Sequence, residues 1–281
     1  MQISSERYFA PHSKIWQVNR EMVLLAAGGR ALLMQLAHPK VAAGVAEHSR
    51  FQDDPFGRLH RTMSTMWSIV FDPRAKARAA LDRVENVHGR VRGKVSPSEP
   101  CFGGADYDAL DPALLLWVHA TLVDTAMVAY DRFVAPMEER DKAIYYDDSR
   151  ELARLFGIDE SIIPAGLMEF EQYMSGMLSG DMIGVGPVVK RLGRDVLHAR
   201  PWIFKAAGPL FRFVTAALLP EKLREGYGLT WNERRAKIFS RLSAAARAIL
   251  PWIPARIRVV PNAREAEKQT RDPYQSRRAL R

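Results

Sequence analysis

The chain has 281 residues, 47% of them hydrophobic, which is enough for one sizeable core, and no long Gly/Ser/Pro linker divides it. The formal net charge is +9 and the pI about 9.8. This balance admits an anionic partner, but the arginines are scattered through helical segments without a glycine–aromatic RNA-binding signature, so no nucleic acid is expected. A single cysteine, Cys101, excludes an internal disulfide framework and any cysteine-based zinc or iron–sulfur cluster.

The first twenty residues are charged and contain no apolar signal-peptide core. Asn19 is expected to cap a helix over 19–37, with Val23, Leu24, Ala27, Leu32 and Leu36 at helical spacing and Pro39 as its stop. Gly28-Gly29 inside it point to close helix packing. They are not a dinucleotide loop, since no strand precedes them and no GxGxxG follows. A short helix over 41–47 precedes the turn FQDDP, where Asp54 caps and Pro55 opens the next helix. That helix carries 58–70. Asp72 then caps a helix opened by Pro73, which reaches His88 before Gly89 and Gly93 end it.

Residues 94–109 read as a loop, and Asp111-Pro112 opens a strong helix to about residue 134. Its most apolar run, 113–123, is shorter than the ~20 residues that cross a bilayer. Further helices are predicted at 136–156, 164–178, 182–197, 202–218 and 231–249. The charged residues from Arg264 are expected to fray, which gives a domain over 1–263 and a tail over 264–281. Few segments alternate with period two, so the fold class is all-α, a single globular helical domain. The expected location is cytoplasmic, with peripheral membrane contact admitted by the charge.

Chemistry concentrates in residues 58–88, RLHRTMSTMWSIVFDPRAKARAALDRVENVH. On its first helix, Arg58, Arg61, Thr62 and Thr65 share one face; on its second, Leu81, Val84 and His88, with Val91 beyond, share another. One strip offers cations and hydroxyls. The other offers a lone imidazole among aliphatic side chains. The pairing suits a flat, largely apolar cofactor with anionic edges and a central metal, and haem is the obvious candidate. A buried arginine needs an anionic partner, which a haem propionate supplies.

Four blocks, LAHPKVAAGVAEHSRF (36–51), DPFGRLHRT (54–62), VHGRVRG (87–93) and DPALLLWVHATLVD (111–124), together resemble the oxygenase family named for MpaB and for the catalytic domain of the latex-clearing rubber oxygenases. The resemblance spans roughly residues 15–260. It implies an all-α fold with a globin-like core, haem b as cofactor, and O2-dependent cleavage of carbon–carbon double bonds in an isoprenoid-like or other apolar chain. His88 matches the family's proximal haem ligand, and Arg58 and Thr62 match the arginine and threonine beside the haem. Arg61 stands where the rubber-cleaving members carry a distal lysine. Glu47 is the nearest match to the proposed catalytic glutamate.

Other readings stand beside these. His38, just before a proline, either meets the dipole of the preceding helix or faces the pocket as a second cofactor-binding residue. His119, near Thr121 and Asp124, reads as part of a buried polar seam. His12, His48, His60 and His198 have no supporting constellation, and Cys101 has no partner histidine. Glu85 and His88 have the spacing of a di-iron carboxylate pair, but no second Glu-x-x-His accompanies them. Segment 233–252 is basic and amphipathic, and either packs Ile238, Phe239, Leu242 and Ile249 on the core or lies on an anionic membrane. Function therefore divides between a haem oxygenase acting on an apolar small molecule and a non-catalytic haem carrier or gas sensor. A cofactor-free membrane-surface or nucleic-acid-binding helical protein is a third reading, resting on charge alone.

Overall fold

The computed structural model describes residues 6–48, 55–198 and 208–271, with the side chains of 55–60 and 271 outside that description. In chain order the described elements are α1 (Lys14–Asn19), α2 (Gly28–Leu36), α3 (Pro39–His48), α4 (Pro55–Phe71), α5 (Arg74–His88), a hairpin of β1 (Arg92–Lys94) and β2 (Asp106–Asp108), α6 (Pro112–Phe133), α7 (Glu139–Leu155), α8 (Leu167–Ser179), α9 (Pro187–His198), α10 (Gly208–Leu218), α11 (Glu221–Gly226), α12 (Glu233–Ile249), α13 (Ala255–Arg258) and α14 (Pro261–Arg271). Short 3-10 turns precede α2 (Met22–Ala27) and follow α12 (Leu250–Trp252). The all-α class is borne out.

The central element is α6. Asp111 caps it by accepting the Ala113 N–H at 2.9 Å, and Pro112 opens it with its φ preset. It packs against α1, α2, α7, α12 and the first 3-10 turn. At 22 residues it is long and apolar enough to cross a bilayer, yet 61% of its most apolar window is buried in the fold. It also carries Asp124, which is bound to Arg30. It is the core helix of this domain.

Arg30 on α2 is itself buried, at 4% exposure. Its Nη2 donates to Asp124 Oδ2 and its Nη1 to Thr125 Oγ1, each at 2.6 Å, and its Nε donates to the Leu218 carbonyl at 2.9 Å. One guanidinium thus joins α2, α6 and α10. Its fork geometry satisfies three acceptors from one side chain, which a lysine cannot do in the same arrangement. Next to it, a Cβ on Gly29 would sit 2.1 Å from Thr215 Oγ1 and 2.8 Å from Phe211 Cζ. The expected close packing at this glycine is therefore the α2–α10 contact.

Several expected boundaries move. Asn19 ends α1 rather than capping a helix to residue 37. The chain breaks at Glu21, which is buried, bridges to Val259 and holds Arg258 through contacts of 2.7 and 3.0 Å. A buried carboxylate needs its cation, and tertiary pairing there overrides local helix propensity. Residues 94–109 are not all loop. Antiparallel pairing of Arg92 with Asp108 and Lys94 with Asp106 is reinforced by ion pairs at 2.8 and 3.0 Å. Three-residue strands are too short to show a period in the sequence.

The segment from Arg264 does not begin a frayed tail, since it is helical within α14 as far as Arg271. Ala263 and Ala266 are buried, Glu267 accepts from Trp16 Nε1 and Arg20 Nη2, and Gln269 accepts from Arg7. On α12, only Phe239 of the four apolar residues expected against the core is buried; Ile238, Leu242 and Ile249 remain exposed.

Among the described residues two histidines are buried, His38 and His119. Burial pushes both imidazoles down to about 4; Lys40 adds to the effect at His38, while a hydrogen bond to the Ser149 backbone opposes it at His119. As pH falls below the usual histidine range, the unfolded chain takes up protons that the folded chain refuses. Stability present above pH ~6.5 is therefore lost progressively towards pH ~4.

Two outcomes follow from this packing. Arg30→Met should cost about 3–5 kcal/mol in urea unfolding, because it strands Asp124 against an apolar neighbour, and the double variant with Asp124→Leu should recover part of that loss. His119→Gln should flatten the dependence of unfolding free energy on pH between 6.5 and 4 by up to ~1.4 kcal/mol per pH unit, the weight of one proton.

Candidate functional site

The chain reverses at Asp72-Pro73, and α4 and α5 pack side by side. Pro73 takes the cap position of α5 that the sequence suggested for Asp72. The Asp72 carboxylate instead accepts from Lys76 Nζ at 2.9 Å and from Asn262 Nδ2 of α14 at 3.0 Å, which ties the turn to the C-terminal helix. The facing strips of α4 and α5 leave a gap that α6 closes.

That gap is a cleft of about 790 Å³, within the roughly 300–1,000 Å³ usual for small-molecule and cofactor sites. From α4 it takes Arg61, Thr62 and Thr65 among others; from α5, Val84, Val87 and His88; from α6, Leu115, Val118, His119 and Leu122. The α6 set falls at i, i+3, i+4 and i+7, one helical face. Lys76 and Arg83 add further cations, and the Ser68 hydroxyl in the lining is buried without a partner among the described residues. A smaller chamber of about 70 Å³ abuts the cleft. Leu24, Leu25, Met63, Trp67 and Val123 are among its mostly apolar walls, and Gln35, Thr62, Met66, His119 and Leu122 line both spaces.

The structure brings together Arg61, Thr62 and His88, three of the site residues read from the sequence. Arg58 lies one helical turn before Arg61 and Thr62 on α4, and its side chain is outside the described residues. Only Val84 and His88 of the expected α5 face line the cleft. Leu81 enters the main core, and Val91, beyond the helix end, packs with Val95 and Tyr107 of the hairpin region.

His38 and Glu47 are elsewhere. His38 stacks on Phe102, with ring centroids 5.3 Å apart, and accepts the Lys40 N–H at 3.3 Å. It thus serves the start of α3, not the dipole end of α2. Glu47 accepts the Tyr107 hydroxyl at 2.5 Å; burial pushes that hydroxyl's pKa up, and the Glu47 carboxylate adds to the effect. A Cβ on Gly93 would lie 2.6 Å from the same Glu47 carboxylate, so a side chain there would displace the Glu47–Tyr107 pair. Neither residue is among those lining the cleft.

His119 is the site residue that sequence reasoning placed in a polar seam. It is buried, lines both cavities, and is hydrogen-bonded to the Ser149 backbone. That bond raises its pKa, so the ring donates and the carbonyl accepts. The other ring nitrogen of the neutral form then carries a lone pair. The spacing Leu115, Val118, His119, Leu122 was the available signal.

The donor set fits haem. An imidazole that would hold the iron, cations that would meet the carboxylates and apolar walls for the ring all line one cleft. A di-iron site lacks its ligands, because no three His, Cys, Asp or Glu side chains gather as a metal cluster among the described residues.

Two mycobacterial proteins, both uncharacterised, are similar to the chain. One is from Mycobacterium bovis and one from Mycobacterium tuberculosis, each 29% identical over 242 residues that cover 84% of this chain and 91% of the relative. No solved structure matches it. The family model described as ER-bound oxygenase mpaB/B'/Rubber oxygenase, catalytic domain, matches residues 15–248. The chain, whose α4, α5 and α6 lie within that span, belongs to this oxygenase family.

Proposed function

We propose that the α4–α5–α6 cleft binds haem b and that the protein is an oxygenase acting with O2 on an apolar small molecule. The observation that carries this reading is the convergence of His88, Arg61 and Thr62 with three apolar helix faces on one cleft of cofactor size. Membership of the oxygenase family supports it.

When bound, haem supplies the redox chemistry that turns O2 on a carbon–carbon double bond. His88, at the end of α5, would hold the group through its imidazole. Arg61 presents a guanidinium fork, which donates hydrogen bonds and does not serve as a nitrogen ligand. It therefore orients an anion, a water or O2. Arg58, one turn earlier on the same helix, accompanies it at the cofactor's anionic edge. Thr62 lies between cleft and inner chamber, where its hydroxyl orients a polar atom at the boundary. His119, kept neutral by burial, presents an acceptor to the same boundary. The apolar walls exclude water and select an apolar substrate. Glu47 is not carried forward as general base, because its carboxylate is engaged by Tyr107 away from the cleft lining.

A carrier or gas sensor would use the same cofactor site without turnover. The two separate on oxygen uptake, which rises with added apolar alkene only in an oxygenase.

Protein produced with ample haem should show a Soret band at ~400–415 nm, and His88→Ala should lose that band along with most of its bound haem. Equal haem content in His88→Ala and wild type would place the ligand elsewhere, with His119 next to test. Arg61→Leu should keep its haem but bind cyanide about tenfold or more weakly, the worth of one charge-assisted hydrogen bond. Spectrophotometric titration of the ferric protein reads both the retention and the weakening.

A further inference from the structure

The outer side of α12 has no place in the cofactor site. Ile238, Leu242, Ala245 and Ile249 recur at i, i+4, i+7 and i+11, so they form one stripe along the helix. A helix of a folded domain ordinarily turns such a stripe inward. Here a different face, with Phe239 and Ser243, is buried, and α12 packs on α6 and α10. The aliphatic stripe points out, with Ile238 47% and Ile249 58% exposed. It continues beyond the helix into Trp252, 86% exposed, and Ile257, 60% exposed. A run of large exposed apolar groups on consecutive elements marks a binding surface, whereas isolated ones do not.

Charge identifies what covers it. Between Arg234 and Arg258 the chain carries seven cations (Arg234, Arg235, Lys237, Arg241, Arg247, Arg256 and Arg258) and no carboxylate. Arg258 is held by Glu21, and Arg235 donates to the Thr230 carbonyl. Arg234, Lys237 and Arg241 are exposed on the helix beside the aliphatic stripe. We propose that α12, the following 3-10 turn and α13 form a docking surface for an anionic lipid bilayer, with Ile238, Leu242, Ile249, Trp252 and Ile257 entering the interface and the arginines and lysine meeting lipid phosphates.

The physical fit is to a surface that is apolar within and negative at its edge. An amphipathic helix with a basic flank lies in the plane of such an interface, and an exposed tryptophan sits at the headgroup level. Long basic side chains lay their methylenes along the apolar zone and carry their charge outward. A second copy of this chain fits worse. A two-fold contact on this face would bring one cationic strip against another, with only Glu233 at the start of each α12 to offset the repulsion. The surface is independent of the haem reading, and the docking test needs no cofactor.

The full-length protein is mixed with phosphatidylcholine vesicles, with or without one-quarter phosphatidylglycerol, and floated on a density gradient. It should float with the anionic vesicles only, and binding should weaken steeply as salt is raised. Trp252→Ser should reduce partitioning about tenfold or more, the worth of one large apolar side chain withdrawn from the interface. Its thermal melt should not change, because the site is solvent-exposed. The triple variant Arg234→Glu/Lys237→Glu/Arg241→Glu should abolish the preference for anionic vesicles. Equal flotation with neutral vesicles, or unchanged flotation of Trp252→Ser, overturns the proposal. So does a dimer in sedimentation that Trp252→Ser dissociates while no vesicle binding is seen, since the face is then an interface between copies.

Discussion

The buried Arg30 guanidinium is the constraint from which the rest of the architecture follows. A charge taken from water is tolerated only when its donors are met, and Arg30 meets Asp124, Thr125 and the Leu218 carbonyl at once. This fixes α2 and α10 against the middle of α6, while Gly29 removes the one Cβ that would hold α2 away from Thr215. With α6 held there, its Leu115–Leu122 face, just N-terminal to Asp124, becomes a wall of the cleft. Arg30 itself lines neither cavity, although its partner Thr125 lines the inner chamber. Such a buried ion pair specifies one arrangement of three helices more than it adds stability over an apolar equivalent.

Much of this was legible in the sequence, and for identifiable reasons. The apolar periodicity of 112–133 and its Asp-Pro start located α6 almost to the residue, because both signals are local. The same holds for the α4–α5 hairpin, where Arg61, Thr62 and His88 share a cleft as their spacing implied. Local signals failed where a distant partner decides the outcome. Glu21 breaks a run that reads as helix because Arg258, far along the chain, claims its carboxylate. The residues after Arg264 read as a solvated tail because their anchors, Trp16, Arg20 and Arg7, lie at the opposite end of the sequence.

His38, His119 and Glu47 show the same limit at the level of single side chains. Each sits in a block with functional flavour, and nothing in the spacing says which cavity it faces. His38 is consumed by the start of α3 and the Phe102 ring, and Glu47 by Tyr107 and the hairpin. His119 looked like ordinary core polarity, yet the cleft reaches it from one side and the inner chamber from the other. Its neighbours on the helix, Leu115, Val118 and Leu122, are as apolar as any core face. A cofactor or substrate pocket in an all-helical protein is made of the same residue types as a core, so composition alone does not separate the two.

The two surfaces of this molecule differ in how they treat charge. In the cleft, cations stand beside apolar walls and partly buried hydroxyls, in a concavity where an anionic group can be desolvated and held by directed hydrogen bonds. On α12 the cations are spread along a convex, exposed stripe, where only a broad and yielding partner meets all of them together. A compact cofactor with two carboxylates suits the first arrangement and a lipid surface the second. The +9 net charge of the chain therefore has two local expressions, and neither requires nucleic acid. An apolar substrate dissolves far better in a bilayer than in water, so an oxygenase held at that interface meets its substrate at a much higher local concentration than the same enzyme free in solution.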